Sequence, residues 1–265
     1  LLDPTRWKAR PSEMNKPERL RILQTPVDPL TMQQTVDYTR ELIESGSFAH
    51  LIGVNADKAL QARDEPEIAA ILERCEVVNA DGASMVLAAK WLGTPLPERV
   101  AGIDLMQRLC ELARDQRYSV YLLGAKTAVV EEVKTCLELR IPGIKIVGLR
   151  DGYFDDQSFA EVAEQIQRLS PNLVFVGITS PKKERVIEFC RDAGARSVFV
   201  GVGGSFDVIS GAIPRAPRWM QRINLEWRFR MLKEPKRLFR RYLVGNTRFL
   251  LLVAGESFKR FRVSP

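Results

Sequence analysis

The chain has 265 residues, of which 45% are hydrophobic and 28% charged, and this globular composition excludes a disordered or collagen-like protein. Its four cysteines are widely spaced without a Cys-x-x-Cys pair and its single histidine is His50, so we expect neither a disulfide framework nor a metal site. The apolar runs are too short for a bilayer-spanning helix, and we therefore expect a soluble, cytosolic protein.

Helical spacings and short apolar runs alternate through most of the chain. The first 20 residues are polar and interrupted by prolines, and we predict an extension there. Helices are predicted at residues 31–44, 58–74, 81–91, 104–114, 128–139, 159–168 and 182–192, and strands at 50–54, 76–78, 119–123, 145–149, 173–178 and 197–202. This alternation predicts βαβ units, and therefore an α/β fold with a doubly wound, mostly parallel sheet over residues 21–213.

The net charge of +7 is distributed unevenly. Residues 214–265 contain 14 Lys and Arg against 3 Asp and Glu, a net charge of +11, whereas residues 1–213 carry a net charge of −4. Apolar side chains such as Trp219, Trp227 and Phe249 lie between these charges. A basic, amphipathic helical appendage of this kind can lie on an anionic membrane surface, bind nucleic acid, or pack as a solvated helix on its own core.

A glycine-rich segment, Gly201-Val-Gly-Gly-Ser-Phe-Asp207, follows a predicted strand and opens a helix. In open parallel sheets, ligands bind beyond the carboxyl ends of the strands. Gly201, Gly203 and Gly204 would let the backbone approach a phosphate, and Asp207 can accept hydrogen bonds from a ribose or a base. The segment is also compatible with a simple tight turn, because Phe206 breaks the dinucleotide-binding fingerprint.

Two polar residues follow other predicted strands. Asp81 comes directly after an apolar run and before a helix, where it can cap the helix or act as a general base at the mouth of the sheet. Asn55 ends an earlier strand and can stand beside it.

Cations also occur where a ligand is expected. Lys182 and Lys183 open a helix after a strand, against the preference of the helix dipole. This placement indicates an anionic ligand, but the two residues are also compatible with ordinary surface lysines. Arg99 has the same ambiguity. The sequence contains no Asp-x-Asp motif. A nucleotide-sugar enzyme of this composition would need cations other than a divalent metal at the leaving diphosphate, and the arginine-rich appendage can supply them.

Together these motifs resemble the WecG/TagA/CpsF family of bacterial glycosyltransferases. The resemblance covers residues 22 to 250. The matching segments are Val78-Asn-Ala-Asp-Gly82, Arg99-Val-Ala-Gly-Ile-Asp104, Asp151-Gly-Tyr-Phe154, Pro181-Lys-Lys-Glu184, Gly201-Val-Gly-Gly-Ser-Phe-Asp207, Arg215-Ala-Pro-Arg-Trp219, Leu225-Glu-Trp227, Glu234-Pro-Lys-Arg-Leu238 and Arg241-Tyr-Leu-Val-Gly-Asn246.

The resemblance implies a Rossmann-like enzyme that moves a sugar from a UDP-sugar to a polyprenyl-diphosphate-linked sugar with inversion, using no cofactor, metal or nucleic acid. It implies a location at the cytoplasmic face of the membrane, and self-association of the exposed apolar appendage is an alternative to membrane contact. Asp81 corresponds to the family's proposed base, and Asn55, Arg99 and Asp207 to its substrate-pocket residues. Three arginines that complete the family's active site correspond to Arg230, Arg237 and Arg240.

Two positions depart from the family pattern. Gly53 stands where the family commonly has threonine, and Lys183 where it usually has glutamine. A missing hydroxyl and an added cation predict a different donor sugar, such as one bearing a carboxylate, or an altered activity. Two other functions are alternatives to the transferase. One is an oxidoreductase with a nucleotide cofactor, whose glycine fingerprint is absent from this sequence, and the other is a nucleic-acid-binding protein with a basic tail.

Overall fold

The computed structural model describes residues 16–222, 226–233 and 235–263, without the side chains of residues 222, 230, 233, 235–243 and 259–263. Its strands are β1 (Leu20–Ile22), β2 (Thr25–Val27), β3 (Ala49–Val54), β4 (Val77–Ala80), β5 (Ser119–Gly124), β6 (Lys145–Arg150), β7 (Leu173–Gly177) and β8 (Val198–Gly201). Its α-helices are α1 (Met32–Ser45), α2 (Ala56–Asp64), α3 (Pro66–Arg74), α4 (Ala83–Trp91), α5 (Gly102–Asp115), α6 (Thr127–Arg140), α7 (Phe159–Leu169), α8 (Lys182–Asp192), α9 (Ser205–Ile209), α10 (Arg218–Arg222), α11 (Glu226–Lys233) and α12 (Pro235–Val263).

The described part of the chain is built on a six-stranded parallel sheet in the order β4-β3-β8-β7-β5-β6. The central strands β3, β5 and β7 are mostly apolar and buried on both faces, as expected where helices cover both sides of a parallel sheet. Helices α1, α5, α6 and α9 pack on one face, and α2, α3, α4, α7, α8 and α12 on the other. The predicted Rossmann-like α/β fold is confirmed.

The local predictions fail at two places. Residues 58–74, predicted as one helix, form α2 and α3, because Glu65 is extended and Pro66 starts a new helix rather than continuing the old one. The antiparallel hairpin β1–β2 was not predicted. Its strands have three residues each, and the turn uses Leu23 and Gln24 at positive φ, so it carries no glycine or asparagine signal.

Most of the predicted extension, residues 1–15, lies outside the described residues. Its remaining part contacts the core, since Lys16 and Arg19 form ion pairs of 2.9 Å with the buried Asp28.

The C-terminal helix α12 packs on the core with one face and exposes another. Phe249 and Val253 are fully buried in the cluster that includes α2 and α4. Leu251 and Phe258 are 69% and 63% exposed. One face of α12 thus packs on the core, and another face exposes apolar side chains. None of the helices within the described ranges is long and apolar enough to cross a membrane.

Candidate active site

A cavity of about 1950 Å³ lies beyond the carboxyl ends of β3, β4, β5, β7 and β8. Part of its wall comes from α11 and α12. Eight of the predicted site residues line it together: Asn55, Asp81, Arg99, Lys183, Gly201, Gly203, Gly204 and Asp207. The side chains of the other three, Arg230, Arg237 and Arg240, lie outside the described part of the structure, although their backbones belong to α11 and α12. The cavity has ample room for a nucleotide sugar.

Asp81, at the end of β4, is hydrogen-bonded to two neighbouring segments of the polypeptide. Its backbone N–H donates to the carbonyl of Val54 at 2.9 Å, and its Oδ1 accepts from the backbone N–H of Gly102 at 3.2 Å. It does not cap α4, whose N-cap is Gly82 without a side-chain hydrogen bond. The carboxylate of Asp81 therefore lies on the cavity wall at the junction of β3, β4 and the start of α5.

Gly53 and Gly102 leave the space that this carboxylate occupies. A Cβ atom at Gly53 would lie 2.9 Å from Cβ and 3.1 Å from Oδ2 of Asp81, and one at Gly102 would lie 3.5 Å from the same Oδ2. The glycine at position 53 thus provides the space in which the side chain of Asp81 lies.

Asn55 has a local structural role as well as a place in the cavity wall. Its side-chain oxygen accepts from the backbone N–H of Lys58 at 3.0 Å and caps the N-terminus of α2. Its Cβ lies close to Gly82, where an added Cβ would be only 2.9 Å away. The two strand-end segments that carry Asn55 and Asp81 are therefore in direct contact.

The two lysines that open α8 have different surroundings. The ammonium of Lys182 donates to the carbonyls of Gly152 at 3.0 Å and Phe154, and lies 4.0 Å from the ring centroid of Phe154. Lys183 is buried beside the end of β8, where a Cβ at Gly201 would lie 3.2 Å from its Nζ. Lys182 is therefore engaged by the loop after β6, whereas Lys183 lies against the glycine-rich segment.

A buried carboxylate, Glu184, joins Lys183 to a residue that sequence reasoning missed. Its Oε1 lies 3.4 Å from Nζ of Lys183 and 2.7 Å from Nζ of Lys58. Burial alone would raise the pKa of Glu184, but Lys183 and Lys58 outweigh it and lower the pKa to about 2. Burial, followed by the charge of Lys183, lowers the pKa of Lys58. No sequence signal connects Lys58 to Glu184, because the two are brought together only by the packing of α2 beside α8.

Arg99 connects the cavity to the appendage. Its Nη2 lies 3.5 Å from Oε2 of Glu226, a buried residue at the start of α11. Oε1 of Glu226 lies 3.8 Å from Nε of Arg215, and Nη2 of Arg215 contacts Asp104 at 2.5 Å. Asp104 belongs to the first turn of α5, so these ion pairs tie the start of the appendage to the wall beside Asp81.

Comparison with known proteins shows the family of this chain. Residues 20–263 match the glycosyl transferase WecG/TagA/CpsF family, and the resemblance predicted from the motifs is confirmed. The chain is 32% identical over 231 residues to an N-acetylglucosaminyldiphosphoundecaprenol N-acetyl-beta-D-mannosaminyltransferase of Bacillus subtilis, covering 87% of this chain and 90% of the relative. A protein of the same name from Bacillus spizizenii is 36% identical over 195 residues, covering 74% and 75% of the two chains.

Proposed function

The chain belongs to the WecG/TagA/CpsF family of glycosyltransferases, and from this premise we propose that it transfers a sugar from a UDP-sugar to a sugar carried on a polyprenyl diphosphate. The donor sugar is a hexose, an N-acetylhexosamine or its uronic acid, and the product belongs to a cell-surface polysaccharide. The names of the two Bacillus relatives, which describe an acceptor carried on diphosphoundecaprenol, support this acceptor class.

One observation carries the proposal: a carboxylate at a strand end lies in the same cavity as a glycine-rich segment and several cations. We infer that Asp81 is the general base. It takes the proton of the acceptor hydroxyl as that oxygen attacks the anomeric carbon of the donor. The bond from the anomeric carbon to the diphosphate oxygen breaks on the opposite face, and the configuration at that carbon inverts.

The departing UDP carries negative charge that the protein must stabilise. We assign this stabilisation to Lys183, which lies beside Gly201, and to the backbone N–H groups near Gly203 and Gly204. Asn55, Arg99 and Asp207 are proposed to orient the two substrates. We assign Arg230, Arg237 and Arg240 to the same charge stabilisation from the appendage side, so that the transferase needs no divalent metal.

The appendage also accounts for access to a lipid-linked acceptor. Its net charge of +11 and the exposed Leu251 and Phe258 of α12 suit a peripheral position on an anionic bilayer surface. We propose that this surface is the cytoplasmic face of the cell membrane, where the donor nucleotide and the lipid-linked acceptor meet.

The test is UDP release from a panel of UDP-sugars, with and without a synthetic lipid-diphosphate-linked sugar. We expect acceptor-dependent release with one donor. In Asp81→Asn the rate should fall by about 10²–10⁴-fold, the usual contribution of a general base, without complete loss.

The matched control is Asp192→Asn, an exposed aspartate at the far end of α8 from the cavity, which should leave the rate unchanged. An Asp81→Asn rate equal to that of the unaltered chain would exclude Asp81 as the base. Failure of every donor to release UDP would contradict the transferase itself.

A further inference from the structure

Lys58, Glu184 and Lys183 form a buried cluster with more positive than negative charge. The side chains of the two lysines are 8% and 9% exposed, and that of Glu184 is fully buried. Two ammonium groups share one carboxylate oxygen, while the other oxygen, Oε2, is buried without a hydrogen-bond partner. A buried charge is costly unless it is paired, so an excess cation here calls for a further anion.

The two lysines differ in how closely they contact Glu184. Nζ of Lys58 contacts Glu184 at 2.7 Å and Gln61 at 3.0 Å, and also donates to the hydroxyl of Ser180, so all three of its N–H donors are engaged. Nζ of Lys183 is farther from Glu184, at 3.4 Å from Oε1, and it lies close to Gly201 on the cavity wall. The charge of Asp57 also raises the pKa of Lys58, but less than the charge of Glu184 does.

We propose that Lys58 neutralises Glu184 and thereby keeps the ammonium of Lys183 available for an oxyanion of the donor substrate. Lys58 is then a positioning residue, because it acts through Glu184 and does not touch the ligand. Without it, the unpaired carboxylate would draw Lys183 into a close ion pair and away from the cavity. The inference rests on the proposed function in that the cavity receives a nucleotide sugar.

The oxyanion can come from two parts of such a donor: the diphosphate, or a carboxylate on the sugar. Both present the same charged oxygen to an ammonium group. Gly201 lies close to both groups: a Cβ added to it would lie 3.2 Å from Nζ of Lys183, and a Cβ added at Gly102 would lie 4.0 Å from the Gly201 carbonyl oxygen and 3.5 Å from Oδ2 of Asp81. The oxyanion would therefore bind near the reacting carbon, which is compatible with either source.

The experiment measures dissociation constants of the full chain for uridine, UMP, UDP, pyrophosphate, UDP-glucose and UDP-glucuronic acid by calorimetry. Lys183→Gln should weaken oxyanion binding by about 10–100-fold, the range of a charged hydrogen bond. Lys58→Gln should weaken it by about tenfold. The double variant Lys58→Gln/Glu184→Gln should recover most of the affinity, because the carboxylate that would capture Lys183 is gone.

Recovery in the double variant is the readout that a merely structural role would not produce. Lys58→Met, which keeps the apolar stem, repeats the test if the glutamine variant fails to fold. Lys145→Gln is the control, because Lys145 is exposed at the amino end of β6, away from the cavity. Affinities that drop equally for UDP, pyrophosphate and both UDP-sugars identify the diphosphate, whereas a drop confined to UDP-glucuronic acid identifies the carboxylate.

Two results would overturn the inference: an unchanged affinity in Lys58→Gln, or a double variant no better than the single one. Either would leave the transferase proposal standing if the chain still binds UDP and Asp81→Asn still loses turnover. If the unaltered chain bound none of UDP, pyrophosphate and UDP-glucuronic acid, the oxyanion site would be refuted. Recovery in the double variant without acceptor-dependent turnover would support the site and reject the transferase.

Discussion

The contact between Gly53 and Asp81 gives a direct way to displace the proposed base without changing its chemistry. A Cβ at position 53 would lie 2.9 Å from Cβ of Asp81, and carbon atoms prefer separations of about 3.5–4.0 Å. Gly53→Ala must therefore move the end of β3 and Asp81 apart by roughly 0.6–1.1 Å. A displacement of about 1 Å at a catalytic group can cost about 10²-fold in rate. We expect a 10–100-fold lower kcat, and a loss of about 1–3 kcal/mol in the free energy of unfolding from overpacking.

The assay is acceptor-dependent UDP release at saturating donor, with Gly255→Ala as the control. An added Cβ at Gly255 meets nothing within 4 Å, and the residue is in α12, so this variant should keep full activity. If Gly53 acts through Asp81, adding Gly53→Ala to Asp81→Asn should cause little further loss. Full activity of Gly53→Ala, or losses that simply add in the double variant, would refute the reasoning.

Two further predictions concern stability. The pKa of Glu184 is lowered to about 2, so its ionised carboxylate stabilises the fold at pH values above the unfolded pKa of about 4.3, and this stabilisation is lost as the pH falls toward 2. In urea unfolding, the difference in free energy of unfolding between the unaltered chain and Glu184→Gln should therefore be larger at pH 6 than at pH 3. Phe249→Ala should lower the free energy of unfolding by about 3–5 kcal/mol, whereas Leu251→Ala, on the exposed face of the same helix, should change it by less than about 0.5 kcal/mol; equal effects in thermal unfolding would contradict the assigned packing of α12.

The sheet could be predicted because its strands carry their own signal. Runs such as those of β5 and β7 are apolar on both faces and are separated by helical periodicity, which is typical only of buried parallel strands. The carboxyl-end rule then predicted that Asn55, Asp81 and the Gly201–Gly204 segment would meet in one cavity, and they do. The hairpin β1–β2 could not be found this way, because three-residue strands are too short to show a period.

The limits at the site have a different physical origin. A polar residue between a strand and a helix can cap the helix, line the cavity, or do both, and the sequence alone does not distinguish these cases. Asn55 has both, since it caps α2 and lines the cavity, whereas Asp81 does not cap α4. Lys58 and Glu226 were missed because their partners, Glu184 and Arg99, are distant in the sequence and meet them only in the folded chain.

The ion pairs of Glu226 bear on how the appendage and the cavity act together. Arg99, proposed to orient a substrate, is held by Glu226 at the start of α11, and the same carboxylate contacts Arg215. The appendage therefore docks on the core through a group that belongs to the proposed substrate site, and not only through the apolar face of α12. A substrate anion that approaches Arg99 must compete with Glu226 or bind beside it. The proposed membrane contact of the appendage and the proposed occupancy of the site would then be linked through the Glu226 carboxylate, because a shift of α11 changes which anion Arg99 faces.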